Sequence, residues 1–118
     1  MSVRRIVPNI HASSPEALAS SAEFYGLLGL QEVMNHGWIA TFASPTEPLA
    51  QLSVFTHDET APVVADVSIE VDDVDAVYEA VRASGAEIVH PLQNEPWGVR
   101  RFFTRDPNGR ILNILSHP

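Results

Sequence analysis

The sequence contains no cysteine and no lysine, and no apolar run approaches the length of a membrane span. Without cysteine there is no disulfide scaffold, no thiolate zinc site and no cysteine nucleophile. Bilayer crossing by a helix takes about 20 consecutive apolar residues, so no membrane partner is expected. The opening stretch carries Arg4 and Arg5, but Pro8, Asn9 and His11 interrupt its apolar residues. That is too short and too broken for a signal peptide. A cysteine-free chain without a leader fits the cytosol, and a cytoplasmic location is the expectation. All seven cationic side chains are arginine, and they face fifteen Asp and Glu, for a formal net charge of −8. Phosphate backbones are held by cationic contacts, so this balance argues against a nucleic-acid partner. What long-range field the chain has favours a cationic ligand.

What is present is an ordinary globular composition: 118 residues, 45% hydrophobic and 19% charged. That length predicts one domain, residues 1–118, with enough buried surface for a core without staples. Within it one rhythm occurs twice. Val3 to His11 reads as a strand. Ser14-Pro15-Glu16 then offers a hydroxyl N-cap, a proline at the first helical position and a carboxylate near the positive helix end. Leu18, Ala22, Tyr25 and Leu28 recur at helical spacing up to Gly29. Short strands are predicted at Gln31–Asn35, Trp38–Phe42 and Gln51–Thr56. In the second half Asp66–Asp72 alternates strictly between apolar and polar residues, as a half-buried strand does. Asp72 or Asp73 caps a helix striped by Val74, Val77, Tyr78 and Val81. Strands at Ala86–Leu92, Val99–Arg105 and Arg110–Leu115 complete it. The reading is two βαβββ modules, 1–57 and 62–118, joined by the polar link Asp58–Ala61, in the α+β class.

Pro96-Trp97-Gly98-Val99-Arg100-Arg101-Phe102-Phe103-Thr104-Arg105-Asp106-Pro107-Asn108-Gly109 resembles the signature end of the vicinal oxygen chelate superfamily. Glyoxalase I, extradiol dioxygenases, fosfomycin-resistance enzymes and bleomycin-resistance proteins belong to it. Glu23-Phe24-Tyr25-Gly26-Leu27-Leu28-Gly29-Leu30 and the strand entering Asp72-Asp73-Val74 resemble it too. The resemblance implies a U-shaped, partly open sheet trough with helices outside. In the family's metalloenzymes four inward strand residues, typically His and Glu, hold a divalent metal; the matching positions here are Arg5, Gln51, Asp66 and Asn113.

Those four side chains make a poor donor set. Arginine has no lone pair to give, and Gln and Asn each offer one neutral carbonyl oxygen. Neither a metal nor another cofactor is therefore expected. The five histidines fall near predicted strand ends or turns and are expected to be exposed, with His57 and His90 the pair to check. There is no GxSxG elbow and no phosphate-cradling glycine motif. Of Arg100 and Arg101, strand alternation lets at most one face the trough.

The metal-free, acidic, homodimeric bleomycin-resistance proteins are the branch that this chain resembles. The resemblance implies a homodimer that sequesters a small molecule, a natural product or aromatic compound, and makes no bond. The ligand-binding set expected is Trp38, Phe42, Gln51, Phe55, Asp66, Trp97, Phe102 and Asn113, with no catalytic residue. Two enzymes stand as alternatives: a metal-dependent glyoxalase or dioxygenase, and a metal-free isomerase or lyase with Asp66 or Glu70 as base.

Overall fold

The computed structural model of the chain describes residues 2–117. It is an α+β protein in which the order strand, helix, three strands occurs twice. The elements are β1 (Val3–His11), α1 (Pro15–Leu27), β2 (Gln31–Asn35), β3 (Ile39–Ala43), β4 (Gln51–Phe55), β5 (Val67–Val71), α2 (Val74–Ala83), β6 (Ile88–Asn94), β7 (Arg100–Arg105) and β8 (Ile111–Ser116). No helix among the described residues is long and apolar enough to cross a membrane.

The chain forms two compact units, Val7–Val64 and Ala65–Pro118 together with Met1–Ile6. In the first, β2 pairs antiparallel with β3 and β3 with β4, while β4 lies parallel to the end of β1. Helix α1 starts as its sequence dictates: the Ser14 side chain accepts the Ala17 N–H and Pro15 follows it. It stops in a Schellman motif, with Leu30 N–H on Tyr25 O and Gly29 N–H on Gly26 O, both at 3.1 Å. Gly29 holds φ +94° there, a conformation that costs other residues a steric penalty. Leu18, Ala22 and Tyr25 pack on Ala40, Phe42 and Val54. Leu28 does not join them. It falls one residue past the last helical turn and is 65% exposed.

The second unit repeats this pairing: β6 with β7 and β7 with β8 antiparallel, β8 with β5 parallel. Asp73 caps α2 by accepting the Ala76 N–H at 3.1 Å. The stripe Val74, Val77, Tyr78 and Val81 packs on Val71, Phe102 and Ile114. Phe102 has no exposed surface; burying such a side chain contributes about 1.5–3 kcal/mol. The start of β1 belongs to this unit through Ser2, whose N–H donates to Asp72 Oδ1 at 2.9 Å and whose carbonyl accepts the Asp72 N–H at 3.1 Å.

Candidate functional site

Strand alternation sends successive side chains to opposite faces. In the unit of α2, Ile69, Phe102, Leu112 and Ile114 face the helix. Their neighbours occupy the other face, and the pairing sets them in rows. One row runs His90, Phe103, Asn113, Ser68 across β6, β7, β8 and β5. The next runs Gln93, Arg101, Leu115, Glu70 across the same strands. Arg100, of the opposite parity, bonds Asp75 of α2 at 2.9 Å.

The second row carries a buried ionic cluster. Glu95, in the turn after β6, accepts at Oε1 from His90 Nε2 (2.7 Å), Gln93 Nε2 (3.1 Å) and Arg101 Nε (3.2 Å). Burial alone pushes the Glu95 carboxyl up, but hydrogen bonds from His90 and Gln93 and the Arg101 charge outweigh it. The net result lies below its ordinary value. Gln93 Nε2 also lies 3.1 Å from His90 Nε2, so the three side chains of the β6 end meet one another as well as Arg101. The Arg101 guanidinium lies over Trp97 at 5.0 Å and Phe103 at 4.8 Å from the ring centroids. The turn is closed by Glu95 N–H on Val99 O and Gly98 N–H on Glu95 O.

In the first row, Asn113 Nδ2 donates to Ser68 Oγ at 3.0 Å. Its Oδ1 is buried and has no hydrogen-bond partner. Beside that row Arg5 Nε meets Glu70 Oε1 at 2.9 Å, and His117 Nδ1 meets Glu70 Oε2 at 3.1 Å.

In the unit of α1, Thr41 and Ser53 share a buried hydroxyl bond of 2.7 Å. Trp38 meets Phe55 at 5.9 Å and His57 at 6.3 Å between ring centroids.

The expected binding set divides accordingly. Trp38 and Phe55 come together; Asn113 shares a sheet face with Arg101, on which Trp97 stacks. Phe42 and Phe102 do not face the same way, because each sits on the helix side of its strand and fills a core. Phe103 holds the position first given to Phe102. Asp66 lies at a strand end, where its Oδ2 accepts the Ile111 N–H at 2.9 Å. Gln51 Nε2 donates to the Pro48 carbonyl at 3.0 Å. Among the histidines, His90 departs from the expectation of exposure: it is buried, whereas His57 is exposed. Glu95 escaped the sequence reading because an acid in a Pro-Trp-Gly turn reads as solvated.

The family's metal positions do not fit a divalent ion here. Arg5 has no lone pair to give and serves a carboxylate, Asp66 already accepts a backbone N–H at Oδ2, and Gln51 and Asn113 offer one neutral carbonyl oxygen each. Among the described residues, no group of three or more His, Asp or Glu could hold a metal.

No curated protein matches the chain in sequence. Among solved structures, it is similar to an NAD-dependent benzaldehyde dehydrogenase of Legionella pneumophila, at 22% identity and TM-score 0.73 over 96% of this chain and 99% of that one. A superfamily member from Vibrio splendidus 12B01 shares 16% identity at TM-score 0.69, covering 98% and 99%. A Mn(II)-bound glyoxalase from Novosphingobium aromaticivorans shares 20% at TM-score 0.63, over 97% of this chain and 38% of that one. At these identities the likeness is one of fold. Residues 16–114 match the sequence model of one family, and with the doubled βαβββ order in place the chain belongs to the glyoxalase/bleomycin resistance protein/dioxygenase superfamily.

Proposed function

We propose that this chain is a metal-independent protein that binds and sequesters a small natural product or aromatic compound, working as a homodimer in the manner of the bleomycin-resistance branch. One observation carries the reading: the positions where family metalloenzymes place ligands hold a cation, two amides and one engaged carboxylate. Arg5 on Glu70 is the sharpest of these, since a guanidinium beside the ion would repel it. Aromatic side chains supply flat apolar contact area in each unit, Trp38 with Phe55 in one and Trp97 in the other. Dimerisation is supported by Phe24 and Leu27 of α1, at i and i+3, and by Leu28 just past its end, which are 57%, 81% and 65% exposed.

Elemental analysis of the purified protein is expected to find no stoichiometric zinc, iron or manganese; one equivalent per chain overturns the reading. A thermal-shift panel of cationic glycopeptides and planar antibiotics tests binding, because a ligand at 100 times its Kd adds about 2.7 kcal/mol of stability. Silence across the panel counts against sequestration. Gel filtration at micromolar concentration gives a dimer, and Leu27→Glu shifts it to monomer.

A further inference from the structure

We infer that the ligand is a hydrogen-bond donor: a small aromatic compound bearing an N–H or O–H group, which it delivers to Asn113 Oδ1. This rests on the binding reading above and names the chemical class that the site takes. Buried polar groups in folded proteins are almost always paired, so a buried acceptor without a partner needs an explanation. Asn113 is 5% exposed, its Nδ2 is spent on Ser68 Oγ, and its Oδ1 meets no donor. With the amide pinned by Ser68, the open valence is an acceptor and asks for a proton-bearing group.

The neighbours sharpen the class. Phe103 stands next to Asn113 in the same row, and His90 follows. An anion such as a carboxylate brings only lone pairs to such a row and gains nothing from the amide oxygen. A donor on an aromatic ring gains both the hydrogen bond and contact with Phe103. Phe103 is only 1% exposed and lies beneath Arg101. The guest is therefore small, or it moves Arg101 and Trp97 aside.

The test is a two-dimensional amide NMR titration with four matched probes: aniline, phenol, toluene and benzoate. Aniline and phenol are expected to shift the Asn113 side-chain amide and the Ser68 resonances, while toluene and benzoate leave them in place. Asn113→Leu is expected to weaken aniline binding by about tenfold, the value of one hydrogen bond worth about 1.4 kcal/mol. Asn113→Asp, nearly isosteric and still an acceptor, retains it, which keeps the test decisive should the leucine variant fail to fold. Equal shifts with toluene or benzoate overturn the inference. So does aniline affinity within twofold of wild type in Asn113→Leu, or an ordered water on Oδ1 that persists with aniline bound. Stoichiometric metal would instead overturn the binding reading itself. A panel ligand indifferent to Asn113→Leu overturns this inference alone.

Discussion

Replacing Glu95 by Gln tests the buried cluster directly. The substitution keeps the shape of the side chain and removes its charge. Arg101, 1% exposed, loses the Glu95 charge, and the new amide brings a single acceptor oxygen to the Gln93 amide, His90 Nε2 and the Arg101 N–H. Breaking a buried ion pair from one side costs about 3–5 kcal/mol, because the surviving charge stays desolvated. For a domain of this size each kcal/mol moves Tm by about 4 °C, so Glu95→Gln should melt roughly 12–20 °C below wild type. Urea unfolding followed by Trp fluorescence and circular dichroism gives the same quantity as a free energy. The double variant Glu95→Gln with Arg101→Met removes both charges and should recover much of the loss, and the cycle yields the coupling between them. A Glu95→Gln variant within about 1 kcal/mol of wild type would refute the reasoning, since it would mean that water reaches Arg101 and the cluster is not a closed one.

Acid should destabilise the fold with a defined sign. Glu95 is lowered by its donors against burial, Asp72 by the Ser2 backbone N–H first, and Asp106 by the Arg110 backbone N–H first. A depressed carboxyl contributes stability that is complete above its unfolded value, about 4, and lost as pH falls through the folded value. Tm measured from pH 7 downward should hold until about pH 5 and then fall; a rise on acidification would contradict the assignments. At the end of α1, Gly29→Ala places a Cβ at φ +94° and should cost about 1 kcal/mol by urea unfolding, whereas no loss would mean the Schellman turn rearranges freely.

Much of the architecture was legible because local signals agreed with one another. The alternation over 66–72, followed by Asp73 and the valine–tyrosine stripe, names a strand, a cap and a helix without further help, and α2 begins and packs accordingly. The site was less legible, for reasons of parity and irregularity. Phe102 and Phe103 look equivalent in sequence, and which one faces α2 depends on a register that a single-residue slip inverts. Strand β6 is worse: its pairing with β7 shifts between Ile88 and His90 and again between His90 and Gln93. Those bulges break the period of two, so no alternation count could place His90 and Gln93 on one carboxylate. Arg101 was half visible. Alternation says that one of two arginines turns inward, and only Asp75 on α2 decides that Arg100 is the outward one.

Ser2 and Arg5 belong with the second unit, Ser2 bracketing Asp72 and Arg5 holding Glu70. A protease cut at Asp58–Ala61 would therefore not yield two self-sufficient halves: the C-terminal fragment would lose both anchors of its parallel edge.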